Sequence, residues 1–524
     1  MRDFNKPGRS GVFATNGMCA TSHPLAAQVA IETLKSGGNA VDAAIAGAVL
    51  LGICEPHMTG LGGDCFVLLK RAGSEEVVGL NGSGKAPARS DAQTLRDRGD
   101  KTIGETSVES VTIPGAIDAF CHLAETEGRL GIDRILAPTI HYAEEGVPVA
   151  PRVAFDWQSL TPTLNSTAKQ FYLVNGKAPK AGQVFSAPGQ AEVLRRIARS
   201  GRAGFYEGEV ADDIISSLQA IGGVHTAEDM FNNAPLPTTP LSGDYKGHEL
   251  VEHPPNGQGA TAILLLNILS HFDLEKLDPL GPERLHLETE ASKLAYDARD
   301  RFIADPEQAA TEKMLDPETA KQLAGLIRPD STIQMVSRVT EAVHRDTVYI
   351  CVTDKDGMSV SLIYSIFHSF GSGIASGKFG LLLQNRGCGF NLIPGHPNEF
   401  GGGKRPLHTI IPGMLKQNGR VVMPFGVMGG QFQPTGHVRF LTNHLDYGMD
   451  LQTAIDAPRA FWDNGTLFLE PTYGPDIASA MKSIGHKVDW RPAPLGGAQA
   501  IYRHESGVLE GASDPRKDGI ALGY

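Results

Sequence analysis

The residues best placed to do chemistry lie in the last third of the chain. Thr347 heads a β-branched run, Thr347–Asp354. Tyr364-Ser365 stands near the end of a second run, Met358–Phe367, with Ser365 eighteen residues after Thr347. Lys404-Arg405-Pro406-Leu407-His408-Thr409 follows a Gly-rich loop, and Gly429-Gly430 follows the run Val421–Phe425. Taken alone, a Thr at the start of a strand is ordinary. The three later features make it worth pursuing, because a strand that ends in Gly-Gly can aim backbone N–H groups at one point. A hydroxyl and such donors together would suit attack on a carbonyl.

Other signatures fail. Gly401-Gly402-Gly403-Lys404 resembles a phosphate loop, but Arg405 stands where Ser or Thr is needed and Asn398 where the first Gly is needed. His286 and Glu290 lie four apart on a helix and could in principle face a metal. Without an HExxH pattern they read as a polar pair on the surface or between helices. No GxSxG elbow is present, and His368, Gly371 and Gly373 make too little of a dinucleotide fingerprint. The six cysteines are scattered, form no CxxC pair and read as reduced thiols. Cys388 has no base implied beside it.

These candidates must be held by a large scaffold. The chain has 524 residues, 41% of them hydrophobic and 20% charged, which suffices for an extensive core and argues against disorder of the whole. A net charge of −12 with no basic block argues against nucleic acid or an anionic membrane as partner. No apolar run is long enough to span a bilayer, and Met1–Lys6 lacks the apolar stretch of a signal peptide, so the cytoplasm is the expected compartment. Ser22-His23-Pro24 reads as a helix start. Asn39, with Asp42 three residues on, reads as the cap of a second, deeply buried helix, about Ala40 to Ile53. Gly60–Asp64 reads as a tight turn into a strand, Cys65 to Lys70. The region 110–345 reads as mainly helical, clearest at Gln190–Arg199, Val210–Ile221, Ala260–Phe272 and Pro282–Phe302, with Pro-rich loops such as Ala234–Pro237 between. From Thr347 the period changes to strands. Lys355-Asp356-Gly357 marks a hairpin, further strands are expected at Leu381–Asn385 and Val421–Phe425, and a strand-rich tail holds a helix near Pro475–Ser483. No repeat or linker divides the chain, so one layered fold is expected.

Ordered matches along nearly the whole chain resemble the γ-glutamyltranspeptidase family of N-terminal nucleophile hydrolases. They are Gly17-Met18, Gly37–Ala44, Gly62-Gly63, Ala86-Pro87, the helix Glu290–Asp300, Asp354–Gly357, Phe370–Gly373, Lys404–Leu407 and Ala457–Arg459. The resemblance implies an α+β fold, an αββα sandwich of two stacked sheets flanked by helices. It also implies a precursor that cuts itself between Asp346 and Thr347 into a large fragment, 1–346, and a small one, 347–524. The freed Thr347 would be the nucleophile with its own α-amine as base. Ser365 would position it, and the N–H groups of Gly429 and Gly430 would form the oxyanion hole. No metal or organic cofactor is implied. The implied partners are the two fragments of the precursor and a small amide, and the fragment pair could itself dimerise.

Where the sequence departs from the family, it departs at the substrate. Ser83 stands at the position of the family's carboxylate-binding Arg. Arg386 and Gly389 replace the Gln and Asp that hold a substrate amine, and Phe367 replaces an Asn. His408-Thr409 replaces a Ser pair, and Gln431 replaces the Ser after Gly-Gly. Loss of the acidic partner removes the counter-charge for an ammonium, Phe367 narrows the pocket, and Arg386 suits a carboxylate. Arg386, His408, Thr409, Gln431 and Phe367 are therefore the expected substrate contacts. The pattern resembles the branch of the family that does not act on γ-glutamyl groups, and within it the oxamate-hydrolysing members of purine catabolism. This implies hydrolysis of a small anionic amide, oxamate to oxalate and ammonia. The alternatives are a γ-glutamyl transferase or hydrolase of glutathione, a cephalosporin-type acylase and a non-catalytic scaffold.

Overall fold

Two seven-stranded sheets form the centre of the molecule. The computed structural model describes residues 8–334 and 347–524. One sheet runs Ile520–Gly523, Met18–Thr21, Val348–Thr353, Ser359–Ser365, Asp64–Lys70, Val77–Gly82 and Leu236–Thr238. Every residue of Val348–Thr353 and Ser359–Ser365 is buried, which is why these runs are apolar and β-branched on both faces. The second sheet runs Val12–Ala14, Leu509–Ser513, Gly497–Arg503, Arg420–Met428, Gly413–Gln417, His248–Glu252 and Leu241–Tyr245. The sheets stack directly: the Tyr349 ring lies against Gly426, where any Cβ would collide with it, and Ser361 Oγ donates to Phe425 O at 3.2 Å.

Helices cover both outer faces. Pro24–Lys35 and Ala40–Cys54 lie on the first sheet. The second is buried along its whole length, and Asn39 and Asp42 form the expected capping box at its start. Gly259–Leu269 and Gln433–Leu445 lie on the second sheet and share a core with Leu250, Phe425 and Val427. The result is the expected αββα sandwich, and both sheets combine strands from before and after residue 347.

One expectation is incomplete and one fails. The region 110–345 is mainly helical, as expected, but Leu236–Thr238, Leu241–Tyr245 and His248–Glu252 within it are strands. Lys246-Gly247, with φ of 48° and 80°, makes a two-residue hairpin turn, and Pro237 is tolerated because its strand is a sheet edge. Leu381–Asn385 joins no ladder. Leu382 and Leu383 make single bridges to Ala375 and Gly62, so this segment crosses the strand ends instead of extending the sheet.

Candidate active site

The strand register decides which residues meet. Val348 pairs with Tyr364, so one step further Thr347 lies opposite Ser365, and Ser365 pairs in turn with Asp64 on the next strand. Thr347 Oγ1 and Ser365 Oγ share a hydrogen bond at 3.3 Å, and both residues are buried. Ser365 Oγ also accepts from Phe367 N at 2.9 Å, and a Cβ on Gly63 would lie 2.4 Å from Ser365 O, so only glycine admits this approach. Asp346 lies outside the described residues, as does Arg345 before it.

In the stacked sheet, Arg420–Met428 ends at Gly429 and Gly430, with φ of 130° and 55°. These values turn the strand sharply into a short 3-10 turn and then into the helix Gln433–Leu445. The two glycines thus stand at the N-terminal side of a helix, where backbone N–H groups and the helix dipole favour negative charge. Gln258 Nε2 donates to Gly430 O at 3.2 Å and to Thr409 O at 2.6 Å, tying the turn to the neighbouring pocket. Arg299 Nη1 donates to Gln258 Oε1 at 3.0 Å and also to Gln431 Oε1, while Tyr296 OH donates to Gln431 O.

Beside this lies a cleft of about 460 Å³, whose lining includes Phe367, Thr409, Gln431, Leu407, Glu105 and Asn391. Phe367 has φ of +74°, a conformation a bulky residue adopts only when its surroundings enforce it. Its ring covers Arg386, whose guanidinium carbon is 3.9 Å from the ring centroid. Arg386 is fully buried. Its Nη1 donates to Thr409 Oγ1 at 2.9 Å, while Nε and Nη2 have no hydrogen-bond partner. Burial pulls its pKa down to about 9 against the opposing pull of Asp64, so it remains a cation at neutral pH. His408 is buried as well. It lies 4.6 Å, centroid to centroid, from the Phe66 ring, and its Nε2 is 3.2 Å from Asp64 Oδ2. Burial, then Arg386 and His253, hold its imidazole neutral.

The gamma-glutamyltranspeptidase family model matches residues 26–524. The chain belongs to that family. Among family proteins it is 36% identical to the glutathione hydrolase-like YwrD proenzyme of Bacillus subtilis, covering 98% of this chain and 99% of the relative. It is 32% identical to the oxamate amidohydrolase proenzyme of Klebsiella pneumoniae, with the same coverage. The crystal structure of cephalosporin acylase from Bacillus halodurans superposes with a TM-score of 0.93 at 38% identity, covering 100% of this chain and 99% of that one. The family consists of N-terminal nucleophile hydrolases, and relatives with three differently named activities resemble this chain over its full length.

Against that family background, the structure brings Thr347, Ser365, Phe367, Arg386, Thr409, Gly430 and Gln431 into one linked region. It places His408 behind them, against Asp64. Sequence reasoning missed Asp64, Gln258 and Arg299 as parts of the site. Asp64 had been read only as the end of a turn, and Arg299 only as part of a family helix. Asp64 Oδ1 accepts from Gly84 N, Gly115 N and Gln384 Nε2 at 3.0, 3.1 and 2.9 Å. Elsewhere, His286 and Glu290 acquire a third neighbour, His486, with donor atoms all within 4.8 Å. Glu290 already accepts from Lys293 Nζ and Ile333 N, both at 2.6 Å, and His286 bridges His486 and Arg328 O, so this is a buried polar cluster satisfied by protein groups. Among the described residues no helix is long and apolar enough to cross a membrane, and all six cysteines are free thiols.

Proposed function

We propose that the chain cuts itself between Asp346 and Thr347, giving fragments 1–346 and 347–524, and then hydrolyses a small anionic amide of which oxamate is the type. The freed Thr347 amine takes the hydroxyl proton as Oγ1 attacks the amide carbonyl, Ser365 holds that hydroxyl, and Gly429 and Gly430 stabilise the oxyanion. Collapse expels ammonia, which carries the proton away, and leaves an ester on Thr347. Water then hydrolyses the ester to release the carboxylate and restore the hydroxyl.

One observation carries the substrate class: the buried Arg386 leaves Nε and Nη2 unpaired. These two N–H groups lie along one edge of the guanidinium and match the two oxygens of a carboxylate. An α-ammonium beside the same cation would be repelled, which disfavours γ-glutamyl donors. The resemblance to an oxamate amidohydrolase agrees with this reading.

The cleft volume supports a second reading, an acylase for larger anionic amides, because about 460 Å³ exceeds the space oxamate needs. Ammonia release from oxamate, measured beside glutamine and glutaramate on incubated protein, separates the possibilities. Release from oxamate is expected. Release from glutamine alone would overturn the carboxylate reading, and release from glutaramate alone would favour the larger acyl group.

A further inference from the structure

Resting on the reading of Arg386 as a carboxylate site, we propose that Asp64 is its counter-ion in the empty enzyme, and that a bound carboxylate takes over this role while Asp64 takes up a proton. The argument begins with charge. Asp64 and Arg386 are both fully buried and are bridged by two successive residues: Arg386 Nη1 donates to Thr409 Oγ1 at 2.9 Å, and His408 Nε2 lies 3.2 Å from Asp64 Oδ2. Two further cations or potential cations face Asp64. Arg405 has its own anion in Asp305 and donates to Ser83 O and Ala234 O, both at 3.0 Å. His408, packed near His253, is held neutral by burial. The Cys65 thiol and Tyr364 phenol that also face Asp64 are pushed far above neutrality by burial, so neither carries charge.

Around the guanidinium the fold therefore sets one buried anion against one buried cation. A substrate carboxylate on the free Nε–Nη2 edge would leave two anions sharing one guanidinium in a desolvated site, which strongly favours the neutral form of one of them. The entering carboxylate gains two charge-assisted hydrogen bonds. Asp64 keeps its three donors on Oδ1, so the proton goes to Oδ2 and is donated to His408 Nε2, whose own hydrogen moves to Nδ1 at the loss of the long 3.4 Å contact from Ile410 N. Burial already raises the Asp64 pKa to about 7, against the pull of Arg386 and the Gln384 amide, so the proton lies within reach of ordinary pH. The sign follows. Below about pH 7 Asp64 is already neutral and carboxylate affinity is flat. Above it each pH unit costs about tenfold in affinity, because a proton must be drawn from solution. Asp64 is thus a positioning residue that makes binding of an anionic substrate proton-coupled.

Calorimetric titration of the processed enzyme with oxalate, in buffers of different ionisation enthalpy at pH 6 and 8.5, counts the protons. At pH 8.5 we expect uptake approaching one proton and affinity at least tenfold weaker than at pH 6. Asp64→Asn should bind oxalate with no uptake and with affinity independent of pH. Oxalate binding to wild-type enzyme without uptake overturns the role of Asp64 and leaves the Arg386 reading intact. Uptake that persists in Asp64→Asn places the proton on His408 or on the Thr347 amine and overturns it equally. Failure of oxalate to bind wild-type enzyme at either pH overturns both. The wild-type measurement decides even if the variant does not fold.

Discussion

The strand ends that carry Thr347, Ser365 and the Gly429-Gly430 turn differ in kind from the pocket behind Phe367. At the strand ends, hydroxyls meet each other, the backbone turns, and the neighbouring Asp64 carboxylate is held by donors from Gly84, Gly115 and Gln384. Behind Phe367 a full cation is buried with two of its nitrogens unpartnered, a costly state for a protein to keep. The first region is complete in itself and suits chemistry common to a family. The second keeps two donors free and, on the proposed reading, suits the choice of substrate. Catalysis and specificity are then separable by mutation, although Gln258 joins the two regions.

The sharpest way to break this separation is Thr347→Ala. It should abolish both turnover and self-cleavage, leaving one intact chain on a denaturing gel, and a normally cut variant would remove Thr347 from the mechanism. Gly429→Ala should come next. At φ of 130° an added Cβ lies 3.0 Å from Gly496 Cα, and the displaced N–H should lower kcat by about 10²–10³ with little change in KM. Arg386→Ala should behave in the opposite way. Self-cleavage should stay normal while KM for oxamate rises about 10- to 100-fold, the scale of hydrogen bonds to charged groups. Arg386→Lys should not restore it, since an ammonium cannot meet two oxygens side by side. Equal loss of cleavage and binding in Arg386→Ala would make the residue structural and collapse the distinction.

Smaller effects sharpen it. Gln258→Leu removes the link and the acceptor of Arg299 Nη1, and kcat and KM should each worsen by about five- to tenfold, from neutral hydrogen bonds of about 1 kcal/mol and one bond to a charged group. Thr409→Val frees Nη1 of Arg386 without moving the strand ends, so KM should change by about threefold and kcat should hold in steady-state assays.

Much of the first region was legible from the sequence. The hairpin Val348–Ser365 follows from two β-branched runs around Lys355-Asp356-Gly357, and the capped helix Ala40–Cys54 from Asn39 and Asp42. Family motifs then singled out Thr347, Ser365, Gly429 and Gly430. Arg386, Phe367, Thr409 and Gln431 were found as departures from those motifs, and the structure shows what surrounds them. His408 was expected at the substrate, and the structure sets its Nε2 3.2 Å from Asp64 Oδ2. The hairpin at Leu241–Glu252 was missed because prolines nearby were read as loop markers, although Lys246-Gly247 carried the turn signal.

The sequence by itself determined what neighbours within a few residues decide: periodicity, caps, turns, and the order of the family motifs. It also located the positions at which the chain departs from those motifs. Only the tertiary structure decided that Asp64 lies beside Ser365 and faces His408, 344 positions away, and that Arg386 keeps two unpaired nitrogens under a phenyl ring. The physical reason is that burial and electrostatic balance depend on every group packed around a charge. Those groups come from strands and loops whose proximity is set by sheet register and stacking, which no local pattern in the chain encodes.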